Sequence, residues 1–260
     1  RPARAAQLER DGLRIRSGLG DAQFPVAHVT ADALPALVAQ QPFDLVLLSC
    51  KAYDLDSSID AIAPAVGADT AVLPILNGLL HYAALDARFG AERVLGGLCF
   101  ISAMKGEDGE VVHLPSPPSM TFGERDAAHN GSARTLALEA VCADAAGFDA
   151  VRSETFMQAA WNKFTFLAAL AAATCLMRAS IGRIVEAEGG TEFLSALHEE
   201  CLGVAAADGH AIPTEAAQQA RTLLTKAGST VTASMLRDLE SGQDVEALQI
   251  IGDLRARAHA

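Results

Sequence analysis

The spacing of hydrophobic and polar positions changes period once along this chain, near residue 153. Ahead of that point, short apolar runs alternate with segments of helical spacing. Asp44-Leu-Val-Leu-Leu-Ser-Cys50 carries no charge after its first residue, the pattern of a parallel strand buried on both faces. Asp54 to Pro64 has apolar residues three and four apart, polar residues to cap its start and a proline to end it, which predicts a helix. Ala71–Leu76 and Val94–Ile101 read as further strands, with a helix from about His81 to Phe89 between them. Glu110–Leu114 and Ser119–Phe122 are expected to be antiparallel strands around a turn containing Pro115, Pro117 and Pro118. A helix over 132–146, with Ser132 as N-cap, and a strand over 148–152 complete this half. Strands alternating with helices predict a doubly wound α/β layer.

Beyond residue 153 only helical periodicity remains, over about 155–178, 191–207, 214–227 and 244–258. The expected organisation is therefore two domains, 1–153 and 154–260, with no flexible linker, internal repeat or low-complexity tract. A chain of 260 residues, half of them hydrophobic, is long enough to bury two cores.

Charge narrows the partners. The net charge is −12 with no basic stripe, which argues against nucleic acid and anionic membranes, so an anionic ligand must be met by a few placed cations. The uncharged run Phe164–Met177 is too short and too rich in alanine for a bilayer span and predicts a buried core helix; Thr70–Leu85 is interrupted by Pro74, Asn77, Gly78 and His81. No charged segment followed by an apolar one opens the sequence as a secretory signal would. Five cysteines, none spaced C-x-x-C, read as reduced thiols of a cytoplasmic protein.

Against this background Lys163 stands out, a lone cation within the apolar segment Phe156–Met177. Its head either reaches water along its own stem or is held in a site, where desolvation would tune it as a general acid. Lys51 follows the strand 44–50 at its carboxyl end, the edge at which open α/β sheets bind ligands, and is equally readable as an exposed strand-end lysine. Asn77-Gly78 would suit a hairpin, but the helical spacing of Leu79–Leu85 makes it a strand-to-helix turn in which Asn77 offers an amide to a ribose or nicotinamide. Gly18-Leu-Gly-Asp-Ala-Gln23 lacks the third glycine of a dinucleotide loop, follows no convincing strand and reads as a surface turn. On this reading the chain is expected to start just after a first βαβ unit of roughly thirty residues, and Arg1 or Arg4 would then meet the 2′-phosphate of NADP. Ser234 and Glu246 place a hydroxyl and a carboxylate twelve residues apart, with a Ser241-Gly242 turn that lets Glu246 open a new helix. Spacing alone also allows Glu246 as a simple first-turn acid and Ser234 as a surface polar residue.

Taken in chain order, Arg1-Pro-Ala-Arg-Ala-Ala-Gln-Leu-Glu-Arg-Asp-Gly-Leu13, Ser49-Cys-Lys-Ala-Tyr-Asp54, Leu76-Asn-Gly78, Ser102-Ala103 ahead of Gly109-Glu-Val-Val-His113, Trp161-Asn-Lys163, and Ser234-Met-Leu-Arg-Asp238 with Glu246 resemble the ketopantoate reductase family of NADPH-dependent 2-oxoacid reductases. The resemblance implies an α/β Rossmann-like N-terminal domain, here without its first βαβ unit, and an all-α C-terminal domain that holds substrate and offers a candidate homodimer surface. It also implies an active site in the cleft between them, NADPH as cofactor and a small-molecule 2-oxoacid as substrate. In the family, ketopantoate becomes pantoate on the route to pantothenate and coenzyme A. Carried over by position, Lys163 resembles the general acid, and Lys51, Asn77 and Ala103 resemble cofactor contacts. Ser234 resembles the contact to the substrate carboxylate, and Glu246 the bridge between substrate hydroxyl and cofactor ribose. Family asparagines fall at Leu167, Ala171 and Val231, which points toward a bulkier or less polar 2-oxoacid. A related NAD(P)-dependent hydroxyacid dehydrogenase and a non-catalytic homologue are the competing readings.

Overall fold

A computed structural model of the chain describes residues 2–145 and 147–260. They form two compact units. The first comprises the chain up to Ser49, Asp56–Ile75 and Leu85–Glu154; the second comprises Cys50–Leu55, Leu76–Ala84 and Thr155–Ala260.

Helices and strands alternate first: α1 (Pro2–Asp11), β1 (Leu13–Ser17), β2 (Ala22–Phe24), α2 (Leu34–Gln40), β3 (Leu45–Leu48), α3 (Leu55–Ile62), β4 (Ala71–Pro74), α4 (His81–Phe89) and β5 (Gly96–Phe100). Then come β6 (Ala103–Lys105), β7 (Val111–His113), β8 (Ser119–Gly123), α5 (Ala133–Ala143) and β9 (Asp149–Arg152). β3 and β4 are parallel, from Leu45 opposite Ala71 to Leu48 opposite Pro74. The Leu95 N–H donates to Val72 O at 2.9 Å and carries the layer from β4 toward β5. β5 then pairs antiparallel with β8, and β8 parallel with β9. This is the Rossmann-like α/β layer. Ala71, Leu73, Leu95, Met120 and Phe122 make its core, with Leu138 and Cys142 of α5 packed against them.

One expectation is overturned here. β7 and β8 are not partners across a proline turn, because β7 belongs to a separate sheet of order β2-β1-β7-β6. Prolines at 115, 117 and 118 remove three N–H donors within four residues, so the segment crosses from one sheet to the other instead of closing a hairpin. β1, β2 and β6 carried no sequence signal, since each is short and either partly covered or, for β6, exposed, without a buried apolar run.

Past β9 the described residues contain helices and no strand: α6 (Phe156–Met177), α7 (Ile181–Val185), α8 (Gly190–Ala207), α9 (Thr214–Leu224), α10 (Ser234–Glu240) and α11 (Asp253–Ala258). α6 is long and apolar enough in composition to cross a bilayer, but it serves as a core helix. Trp161, Phe164, Ala168, Ala169, Ala171 and Ala173 are at most 1% exposed, against α7, α8, α9 and α10. Helix separations of about 8–10 Å depend on the side chains at the contact, and alanines there leave neighbouring helices room to pack closely. The helix expected over 244–258 begins later: a π-helical turn at Leu248–Gly252 runs into α11, and Glu246 stands just ahead of it, its carbonyl accepting from the Ile250 N–H at 3.1 Å.

Candidate active site

Beyond β3 the chain runs through Cys50 and an extended Lys51 (φ −72°, ψ 151°) into one 3-10 turn, Ala52–Asp54. The first amides of such a turn lack partners within it and favour an anion. Here the Ala52 N–H donates to Glu246 Oε1 at 3.0 Å. The second carboxylate oxygen, Oε2, is 3.8 Å from Lys51 Nζ, and the Glu246 side chain is only 6% exposed.

Lys51 gives its directional bond elsewhere, to Asp238 Oδ2 at 2.7 Å. Asp238 lies four residues after Ser234 on α10, so the two share a helix face. Burial acts to lower the Lys51 pKa, but the Asp238 hydrogen bond and the charge of Glu246 outweigh it, and the net shift is upward. Lys51 is therefore a firmly held cation, with its head still partly open to solvent. The Ser234 hydroxyl, half-buried, has no protein partner among the described residues.

Lys163, on α6, donates to Asn77 Oδ1 at 3.1 Å. An ammonium has only donors, so the carbonyl end of the Asn77 amide must face it and the NH2 end is left to receive an acceptor. Gly78, with φ +77°, brings the same turn onto the π-helical turn that follows Glu246: a Cβ at Gly78 would stand 2.9 Å from Gln249 O. The structure thus gathers Lys51, Asn77, Lys163, Ser234 and Glu246 into the second unit. Lys51 lies between the Asp238 and Glu246 carboxylates, and Lys163 is paired with the Asn77 amide.

Ala103 is an exposed residue of β6 in the first unit, and Arg1 falls outside the described residues. Arg4 is engaged by Gln7 Oε1 at 2.7 Å and Gly109 O at 2.6 Å. Gly18 and Gly20 form the turn between β1 and β2, as expected of a surface turn. Leu167, one helical turn past Lys163, is half-buried, Val231 is 47% exposed, and Ala171 is wholly enclosed. Sequence reading overlooked Asp238 and the Ala52 amide; the fourth-residue spacing from Ser234 was the one available signal for Asp238.

Two family models match, "Ketopantoate reductase PanE/ApbA" over residues 1–127 and "Ketopantoate reductase PanE/ApbA C terminal" over residues 155–260. The uncharacterized oxidoreductase YkpB of Bacillus subtilis (strain 168) is 31% identical over 265 residues, 99% of this chain and 82% of that protein. The chain belongs to the ketopantoate reductase family. A 2-dehydropantoate 2-reductase of Mesorhizobium japonicum is 27% identical, covering 94% of this chain and 78% of that one. The crystal structure of a PanE/ApbA family ketopantoate reductase from Ralstonia eutropha JMP134 superposes with a TM-score of 0.83 at 25% identity, over 100% of this chain and 82% of its own. As a ketopantoate reductase family member the protein is an NAD(P)-dependent oxidoreductase. The donor set suits the nicotinamide end of such a cofactor: the Asn77 NH2 and the remaining Lys51 donors match carboxamide and ribose oxygens.

Proposed function

We propose that this protein reduces the C2 carbonyl of a 2-oxoacid with NADPH, taking ketopantoate to pantoate on the way to pantothenate and coenzyme A. The observation that carries the reading is the Lys163 ammonium, bonded to Asn77 at 3.1 Å on a rigid core helix. A bound nicotinamide supplies the hydride. Lys163 stabilises the negative charge that builds on the C2 oxygen, gives that oxygen a proton and recovers one from solvent, so the product is the 2-hydroxy acid. Asn77 aims the ammonium. Ser234 is assigned the substrate carboxylate, and Glu246 the substrate hydroxyl and the cofactor ribose. Lys51 and Asn77 are assigned the nicotinamide half, while Ala103 and Arg1 are further cofactor contacts implied by family resemblance. The proposal of NADPH over NADH rests on the sequence reading that Arg1 or Arg4 meets the 2′-phosphate.

A second reading is favoured by Leu167, an apolar side chain one turn from Lys163, and by exposed Val231. It replaces ketopantoate with a 2-oxoacid bearing a branched apolar side chain. Ala171, having no exposed surface, does not bear on the choice.

The test is NADPH consumption with ketopantoate and, in parallel, with 2-oxo-3-methylbutanoate. Lys163→Ala is expected to lower kcat at least about a hundredfold while leaving NADPH affinity nearly unchanged. Undiminished turnover in that variant would overturn the assignment. Preference for the apolar acid would select the second reading.

A further inference from the structure

The Lys51 ammonium sits between two carboxylates but is bonded to one of them. Its distance to Asp238 Oδ2 is 2.7 Å, that of a charge-assisted hydrogen bond, and its distance to Glu246 Oε2 is 3.8 Å, too long for one. At the longer distance the Coulomb attraction persists, without occupying an acceptor lone pair. Glu246 Oε1 is already taken by the Ala52 N–H. Oε2 is therefore the oxygen left to receive a hydroxyl from outside the protein, and it stays so only while Lys51 is kept off it.

A carboxylate as enclosed as that of Glu246 costs free energy to bury unless a compensating charge stands nearby. Lys51 supplies that charge. Left with Glu246 as its one carboxylate neighbour, the ammonium would close onto Oε2 and form a tight pair, satisfying the charge but removing the acceptor. Asp238 opposes this closure from α10, where the i, i+4 spacing puts it on the face that carries Ser234.

We propose that Asp238 is a positioning residue for the reduction: by taking the hydrogen bond of Lys51 it holds that charge beside the Glu246 carboxylate and leaves Oε2 open to a ligand hydroxyl. The inference rests on the reading of Glu246 as a ligand-holding carboxylate, and it concerns a residue to which neither sequence nor family resemblance gave a role.

Asp238→Asn keeps the shape and removes the charge. Misplacement of a holding group by about 1 Å costs up to about a hundredfold, so kcat/KM for the 2-oxoacid is expected to fall ten- to a hundredfold. A double-mutant cycle with Glu246→Gln separates positioning from a general structural effect. If Asp238 acts through Glu246, then Asp238→Asn adds little to the loss already caused by Glu246→Gln; additive losses overturn the proposal. A second readout needs no turnover: with lysine labelled at Cε, the Lys51 resonance should titrate at lower pH in Asp238→Asn and return toward the wild-type value in Asp238→Glu. A Lys51 titration that ignores both substitutions overturns the proposal even if no 2-oxoacid is reduced. Wild-type inactivity toward every 2-oxoacid, with the Lys51 shift present, would instead sink the functional reading alone. Melting of each variant checks its folding, and Asp238→Ser, which also removes the charge, carries the test should Asp238→Asn fail to fold.

Discussion

His198 lies on α8 at 1% exposure, and neither of its ring nitrogens has a hydrogen-bond partner among the described residues. A neutral imidazole carries one donor and one acceptor, and each left bare in a core costs about 1–3 kcal/mol. Burial pushes the ring below its ordinary pKa of 6.5; the charge of Glu199 works against that shift and that of Arg221 with it. The unfolded chain takes up a proton at this ring below pH 6.5, while the folded chain resists until lower pH. The ring's contribution to stability is thus intact above 6.5 and is lost as pH falls from there through the folded value. His198→Leu, close in volume and without polar atoms, is expected to match or exceed wild-type stability near neutrality, and its advantage should widen on acidification. Thermal melts from about pH 8 to about pH 5 check this, and a gap that stays constant across that range would count against it. The chain sequence gave no sign of this residue, since an amphipathic helix shows which face is buried and not whether a polar ring on that face finds a partner.

At the scale of elements, the turn between β4 and α4 does the most with the fewest residues. Gly78 adopts φ +77° and lies so close to Gln249 that a Cβ would meet its carbonyl oxygen at 2.9 Å. Forcing an L side chain into the left-handed region costs about 1–2 kcal/mol before any clash is counted. Gly78→Ala should therefore push the turn away from the π-helical segment and carry Asn77 with it. The expected result is a loss of kcat/KM that exceeds what the fall in melting temperature explains, measured as activity per folded molecule. Lower stability with unaltered kinetics would show that Asn77 does not depend on this turn. The sequence allowed the turn to be read correctly because the helical spacing after Gly78 excluded a hairpin. It could not supply the Gln249 contact, which depends on packing 171 residues further along the chain. For the same reason the long, strongly periodic helices α6, α8 and α9 were readable, while α7 and α10, of five and seven residues, were too short to show a period.

At the scale of the molecule, long-range pairing decides both where the candidate site lies and how the protein should respond to acid. Ala52 and Glu246 meet across 194 positions, and Lys51 and Asp238 across 187, so the segments 50–55 and 76–84 are counted with the helical unit although sequence order places them in the α/β half. Two buried groups, one in each unit, titrate away from their ordinary values in the acid range. In the second unit it is His198, whose contribution fades below pH 6.5. In the first it is Glu124, at the end of β8, whose carboxylate accepts from Arg134 at 2.8 and 2.6 Å and from Ser132, the N-cap of α5. Burial would raise the Glu124 pKa, but the bonds from Arg134 and Ser132 overcome it and hold the carboxyl below its ordinary 4.5. Its contribution is present above 4.5 and is lost only as pH falls through that lower value. Between pH 6.5 and 4.5, therefore, acid weakens the second unit through His198 while the first keeps the Glu124–Arg134 anchor of α5. Amide hydrogen exchange at about pH 5.5, corrected for the intrinsic pH dependence of exchange, should show α6 and α8 losing protection while β8 and α5 retain it. His198→Leu should erase the difference between the units at that pH. Loss of protection in β8 and α5 first, or a difference untouched by the substitution, would mean that groups other than these two set the acid response.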